Sequence, residues 1–177
     1  MTTPLNGSIT LGQAPGTVDE IVRIADGAPI ALEKAALDNM ARVSSRIQRA
    51  IEQGQIIYGL TTGVGDLVTT RLSPDRMTDT QLNMLRSHAC GVGPDLTVRE
   101  VRAMMAVTLK SLLQGYSGVT PALAQRIADM LNRQVTPWSP AGGSVGYLIA
   151  TAHIGLAVFG EGKCWYQGEL LPAQQAL

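Results

Sequence analysis

The residues from Pro137 to Glu161 constrain the fold of this chain more than any other stretch. Their first ten positions hold two prolines and three glycines, so the backbone there must form a tight, irregular loop. An apolar run from Tyr147 to Phe159 follows directly, and its apolar residues recur at helical spacing on nearly every side. This pattern predicts a buried helix that begins immediately after a glycine-rich loop.

The junction between this loop and the helix is a candidate ligand site. The N–H groups of a helix's first turn lack partners within the helix, and a glycine loop lets them converge on a ligand. No lysine, serine or threonine stands at the spacing of a phosphate-binding P-loop, so a phosphate ligand is not favoured.

The composition excludes several classes of function. Lysine plus arginine and aspartate plus glutamate each number 14, which gives no net attraction for nucleic acid or anionic membranes. The two cysteines and two histidines lack metal-site spacing, so we expect no metal. The longest apolar run has 13 residues, whereas a membrane-spanning helix needs roughly 20. Because the N-terminus also lacks the pattern of a signal peptide, we expect a soluble, cytoplasmic protein.

Periodicity and capping signals predict a mainly α fold with a few short strands, in a single domain over residues 1–177. Strands are expected at Ser8–Leu11 and in a hairpin of Lys163–Tyr166 with Glu169–Leu171. Helices are expected from Thr17 to Asp26, from about Ile30 to Gln53, from Pro74 to His88, from Val98 to Gln114, from Pro121 to about Arg133, and over the apolar run.

Two segments carry side chains suited to proton transfer. Tyr58 begins a loop whose glycines and threonines prevent regular structure, and glycine allows close approach of the backbone to a ligand. By composition alone this is a mobile surface loop with an incidental tyrosine. His88 shares a helix face with Gln81 and Leu85. A lone histidine near a helix end more often makes a structural hydrogen bond than binds a ligand, so both roles stay open for His88.

Five motifs together resemble the aromatic amino acid ammonia-lyases and aminomutases. One of them is Gly115-Tyr116-Ser117-Gly118-Val119, and the other four follow here in chain order. The first is Tyr58-Gly59-Leu60-Thr61-Thr62-Gly63-Val64-Gly65, and the second is Leu85-Arg86-Ser87-His88-Ala89-Cys90-Gly91-Val92-Gly93. The third is Gly143-Ser144-Val145-Gly146 followed by Ala152-His153-Ile154 and Gly160-Glu161-Gly162, and the fourth is Gly168-Glu169-Leu170-Leu171-Pro172-Ala173. The resemblance covers nearly the whole chain but only the N-terminal part of a family member, before its long helical bundle. It implies the helical, fumarase/aspartase-like fold of that family.

The resemblance also implies roles for individual residues. Tyr58 matches the family's catalytic acid/base on a flexible loop, and His88 matches a position that faces the substrate. Gly65, Ser87 and Ser144 fall in the matching motifs as substrate-binding candidates. Family members follow Gly-Ser-Val-Gly with Ala-Ser-Gly, which cyclises into the electrophile methylideneimidazolone (MIO). In this chain Gly146 leads directly to Tyr147, so we expect no MIO and no other cofactor.

Three functions fit these features. The first is an MIO-independent acid/base enzyme, a lyase, isomerase or cyclase acting on a small, aromatic or amino-acid-derived molecule, with Tyr58 as its base. The second is one half of a split enzyme that a helical partner chain completes. The third is a non-catalytic homologue that serves as a binding or regulatory subunit. A charged content of only 16% predicts that a partner chain or further copies of this chain cover part of the surface.

The missing tripeptide gives a direct test. MIO forms by cyclisation and dehydration of Ala-Ser-Gly, and this tripeptide occurs nowhere in the 177 residues. The intact mass should therefore equal that of the unmodified chain, without the loss of two water molecules, and the near-ultraviolet absorbance of MIO should be absent. Either signal in the purified protein would contradict the expectation.

Overall fold

Helices dominate the fold. Within residues 7–143 and 147–177, which the computed structural model describes, the prediction of a mainly α fold with a few short strands is confirmed. The helices are α1 (Val18–Ala25), α2 (Lys34–Glu52), α3 (Pro74–His88), α4 (Val98–Leu112), α5 (Pro121–Asn132), α6 (Tyr147–Val158) and α7 (Ala173–Ala176), with a 3₁₀ turn at Gly65–Leu67. The strands are β1 (Ile9–Leu11), β2 (Ile30–Leu32), β3 (Val92–Asp95), β4 (Thr136–Pro137), β5 (Pro140–Gly142), β6 (Lys163–Tyr166) and β7 (Glu169–Pro172).

Capping explains where two of the core helices begin. The Thr17 hydroxyl accepts a hydrogen bond from the Glu20 N–H while the Glu20 carboxylate accepts one from the Thr17 N–H, and this reciprocal pair starts α1. Thr97 and Glu100 form the same pair at the start of α4. Proline stands at the first position of α5, where its missing N–H costs nothing.

The hydrophobic core lies where α1, α4 and α5 meet the β1–β2 pair. Residues from each of these elements are buried together, and α6 and α7 close the cluster from the other side. Its largest fully buried apolar side chains include Leu11, Ile24, Met105, Leu109 and Leu131. Burial of such side chains contributes about 1.5–3 kcal/mol each, so this region supplies most of the driving force for folding.

A buried arginine crosses this core. Arg102, on α4, is only 2% exposed, and its guanidinium donates hydrogen bonds to three backbone carbonyls. Ile24 and Ala25 accept at the end of α1, at 2.8 and 3.2 Å, and Leu131 accepts at the end of α5, at 3.1 Å. These are helix-terminal carbonyls that carry the negative end of the helix dipole. Burial lowers the pKa of Arg102, although an arginine stays charged at neutral pH.

The prediction of one helix from Ile30 to Gln53 is wrong at its beginning. Ile30–Leu32 forms β2, which pairs in parallel with β1, and the helix begins only at Lys34. The Asn132 side chain bonds both the N–H and the C=O of Ile30, at 2.8 and 3.0 Å, as a neighbouring strand would. The two partners of β2, which are strand β1 and Asn132, lie far from it in the sequence, so helical periodicity could not reveal this strand.

The C-terminal strands follow the expected hairpin. β6 pairs antiparallel with β7, and β4 joins them on the other edge of β6. The turn residues Gln167 and Gly168 both have positive φ, 51° and 85°, as a tight two-residue hairpin turn requires. The β3–β5 pair was not predicted, because its residues include prolines and glycines that are rare in strands.

Helices α3 and α6 pack closely and frame the region described below. At Gly155 a Cβ atom would lie 2.8 Å from Leu85 Cδ2, so a larger residue there would displace the Leu85 side chain. The apolar run was expected to be a buried helix. One side of α6 is buried, whereas Leu148 and Phe159 are 40% and 65% exposed. The apolar run therefore also lines a surface opening.

We predict that Arg102→Met lowers the free energy of unfolding by roughly 2–4 kcal/mol, because three buried carbonyls lose their donor. Urea denaturation measures the change. Arg99→Met is the control on the same helix, since Arg99 is exposed and pairs with Asp26 at the surface. Equal effects of the two substitutions would contradict the proposed importance of the buried guanidinium.

Candidate functional site

A cavity of about 400 Å³ opens between the loop after α2, helix α3 and helix α6. This volume is within the range of small-molecule sites. Apolar side chains make up most of its wall, and three polar side chains interrupt them. The lining residues are Tyr58, Val64, Gly65, Met84, Leu85, His88, Leu148, Thr151 and Ala152.

Tyr58 reaches the cavity from a loop, residues 57–72, which we call the Tyr58 loop. Its side chain is 65% exposed, and its hydroxyl oxygen accepts a hydrogen bond of 3.2 Å from the Gly65 N–H. Because this donor occupies one lone pair, the hydroxyl hydrogen is free to reach a ligand. Gly59, the next residue, has a φ of +69°, a conformation that glycine adopts without strain.

The loop closes on itself through backbone hydrogen bonds. The Gly63 N–H donates to the Thr70 carbonyl at 3.1 Å, and the Leu72 N–H donates to the Thr61 carbonyl at 2.9 Å. A Cβ at Gly63 would lie 2.7 Å from the Leu67 carbonyl oxygen, so a larger residue would force the backbone apart. The loop is thus a compact unit with a defined shape, which composition alone did not predict.

His88 lines the cavity from α3, and a hydrogen bond holds one of its ring nitrogens. Its Nδ1 lies 2.8 Å from the Met84 carbonyl oxygen, one helical turn earlier. A carbonyl only accepts hydrogen bonds, so Nδ1 carries the hydrogen and the neutral ring leaves Nε2 as an acceptor. His88 therefore makes the structural hydrogen bond and also lines the cavity, where ligand binding stays a prediction.

The cavity brings together three of the five predicted site residues. Tyr58, Gly65 and His88 all line it. Ser87 stands beside His88, but its side chain is exposed and its hydroxyl donates to the Met84 carbonyl at 2.9 Å. Ser144 lies outside the described residues. Of the lining residues that were not predicted, Leu85 shares the predicted face of His88, and Leu148, Thr151 and Ala152 belong to the apolar stripe of α6.

The second histidine lies on another side of α6. The His153 ring meets the Trp138 ring edge to face, with centroids 5.3 Å apart at 89°. Among the residues that the structure describes, none forms a hydrogen bond with its buried Nε2. Burial lowers the pKa of His153, because the charged ring would lose its hydration there.

The residues at the start of α6 do not fit an MIO group. Four residues, 143–146, connect β5 to α6, and Ala-Ser-Gly is not among them. Gly143 already packs so closely on Ile149 that a Cβ there would overlap its side chain. No step of a reaction is therefore assigned to MIO.

Two kinds of feature are absent from the described part of the chain. Within residues 7–143 and 147–177, no group of three or more His, Cys, Asp and Glu side chains could hold a metal ion. None of the helices in these ranges is both long and apolar enough to cross a membrane.

Comparison with known proteins identifies similar sequences and folds. The family model for aromatic amino acid lyases matches residues 17–177. A histidine ammonia-lyase from Geobacillus thermodenitrificans is 38% identical over 165 residues, which are 91% of this chain and 33% of the relative. The solved tyrosine aminomutase from Streptomyces globisporus aligns with a TM-score of 0.91 and 29% identity, over 96% of this chain and 32% of that one. The chain thus spans about a third of the length of these relatives.

The lowered pKa of His153 predicts a pH-dependent stability. Between the folded pKa and the ordinary value of 6.5, the unfolded chain binds more protons than the folded chain. The His153 contribution to the free energy of unfolding should therefore be complete above pH 6.5 and decrease as the pH falls towards the folded pKa.

Replacement by phenylalanine isolates this contribution, because the ring contact with Trp138 remains. Urea unfolding at several pH values should show wild type losing stability relative to His153→Phe as the pH decreases from 7 to 5. A constant difference across this range would contradict the prediction.

Proposed function

This chain belongs to the aromatic amino acid lyase family, and we therefore propose that it supplies the Tyr58 side of a lyase-type active site. The observation that carries the proposal is the convergence of Tyr58, Gly65 and His88 on one cavity. Acid/base groups in a mostly apolar pocket are the usual arrangement for proton transfer to a small organic molecule. The proposed substrate is a small aromatic or amino-acid-derived compound.

Tyr58 is the proposed acid/base. As the tyrosinate anion it takes a proton from a substrate carbon, and as the neutral phenol it returns one, while the Gly65 N–H holds the oxygen in place in both states. A backbone donor at 3.2 Å can bond to the neutral oxygen and to the anion alike. The hydroxyl therefore keeps one position through the transfer.

His88 is the proposed orienting group. With Nδ1 bonded to the Met84 carbonyl, Nε2 of the neutral ring accepts a hydrogen bond from an N–H or O–H of the substrate. Met84, Leu85 and Leu148 contribute apolar surface to the same cavity. They suit an aromatic or aliphatic portion of the substrate, while Tyr58 and His88 fix the orientation of its polar end.

We propose MIO-independent chemistry, such as an elimination, isomerisation or cyclisation, since the residues at the start of α6 do not fit that group. The site also needs further groups to bind the substrate's charged portion. We propose that other copies of this chain, or a helical partner chain, supply them and cover the exposed side of Tyr58. The assembly would act in the cytoplasm.

The proposal makes Tyr58 the most sensitive residue for function. Amino acids and arylacrylates are first screened for thermal stabilisation of the assembly, and stabilising compounds are then tested for turnover. Tyr58→Phe should decrease the turnover rate about 10²–10⁴-fold, because it removes the hydroxyl group that accepts and donates the transferred proton. The fold should remain intact, because within the described part of the chain the Tyr58 hydroxyl bonds to a single group, the backbone N–H of exposed Gly65.

Tyr116→Phe is the matched control, since Tyr116 is 91% exposed and does not line the cavity. If Tyr58→Phe changes only ligand affinity, by about 0.5–1.5 kcal/mol, the chain is a binding subunit rather than an acid/base enzyme. If neither turnover nor affinity changes, the role assigned to Tyr58 is wrong.

A further inference from the structure

We propose that Gln81 is a positioning residue that holds the Tyr58 loop on helix α3. The Gln81 Nε2 donates a hydrogen bond of 2.6 Å to the Gly59 carbonyl oxygen, across 22 residues of sequence. Gln81 is half-buried at this contact. Among the described residues, no other hydrogen bond joins residues 58–71 to a helix or strand outside the loop.

The contact acts at a glycine, which can change its backbone conformation more easily than other residues. Gly59 has a φ of +69°, and without a side chain its backbone can leave this conformation easily. The Gly59 N–H donates to the Thr62 hydroxyl at 3.3 Å, and the Gly59 carbonyl accepts from Gln81. The two peptide groups that follow Tyr58 are thus both held, which fixes the direction in which the Tyr58 side chain leaves the backbone.

The position of Gln81 on α3 gives this contact a second consequence. Gln81 lies seven residues before His88, two helical turns, so both side chains project from the same face of one rigid helix. Anchoring Gly59 to Gln81 therefore sets the position of Tyr58 relative to His88. The catalytic consequence of this role rests on the proposed function, whereas the anchoring of the loop can be measured without any substrate.

Three variants separate the contributions. Gln81→Leu keeps a similar volume and removes the donor. Gln81→Glu keeps the shape, and its ionised carboxylate cannot donate to a carbonyl. Gln125→Leu is the control, because it also removes a glutamine hydrogen bond, within α5 and to Asp129.

The first measurement is hydrogen exchange of the Gly63 and Leu72 amides, whose bonds close the loop. Both Gln81 variants should increase their exchange about 2- to 10-fold at neutral pH, the effect of one hydrogen bond. In both Gln81 variants, the Leu109 amide in the core should keep its wild-type exchange rate. In Gln125→Leu, all amides outside α5 should keep their wild-type exchange rates. Below the carboxyl pKa of about 4.3, the side chain introduced by Gln81→Glu is protonated and can donate again. Gln81→Glu but not Gln81→Leu should then return towards wild-type exchange measured at the same pH.

The second measurement is ¹³C NMR of tyrosines labelled at Cζ. The chain has four tyrosines, and the signal lost in Tyr58→Phe identifies Tyr58. Its chemical shift should change in both Gln81 variants at neutral pH, while the Tyr116 and Tyr166 signals stay in place. Unchanged loop exchange together with an unchanged Tyr58 signal would overturn the positioning role.

These outcomes are independent of the proposed reaction. If the loop and the Tyr58 signal respond to Gln81 but Tyr58→Phe affects neither turnover nor binding, the anchoring stands and the proposed function fails. If Tyr58→Phe abolishes turnover while Gln81→Leu leaves the loop, the Tyr58 signal and the turnover unchanged, the positioning role fails and the proposed function stands.

Discussion

The buried guanidinium of Arg102 is the interaction on which the arrangement of the core depends. It bonds the last carbonyls of α1 and of α5 from a position on α4, so one side chain fixes three helices relative to each other. Within the described residues, no carboxylate pairs with it. Its charge is balanced instead by the partial negative charge of two helix ends. The same hydrogen bonds satisfy carbonyl groups that would otherwise be buried without a partner at the helix ends.

The candidate site lies beside this core, where fewer constraints act. Helices α3 and α6 meet closely at Gly155, and the cavity lies beside that contact, with Leu85 in its wall. The rigid part of the site is thus His88 and the apolar residues of α3 and α6, because they belong to helices. Tyr58 belongs to a loop that internal hydrogen bonds shape and that Gln81 ties to α3. A base on such a loop can move towards a substrate, provided that its average position is well defined.

Local signals predicted most of the fold, and contacts distant in sequence account for the remainder. Threonine caps and proline starts set the helix boundaries near Thr17, Thr97 and Pro121 correctly, because these signals act within one turn. The strand at Ile30–Leu32 depends on β1 and on Asn132, so periodicity assigned it to a helix. For the site, the motifs predicted Tyr58, Gly65 and His88, which all line the cavity. The motifs also indicated the family, which the match over residues 17–177 confirms. The apolar wall of the cavity could not be predicted, because the sequence does not show how α3 packs against α6.

The exposure of Tyr58 connects the site to assembly. With 65% of its side chain exposed, its hydroxyl competes with water for any ligand, and water weakens the electrostatic control that proton transfer requires. Leu148 and Phe159, on and just after the same helix α6, are also exposed and apolar. A chain that covers this side of α6 would bury apolar surface and exclude water from Tyr58 in the same step. The proposed oligomer or partner would therefore be stabilised by the contact that makes the acid/base group effective.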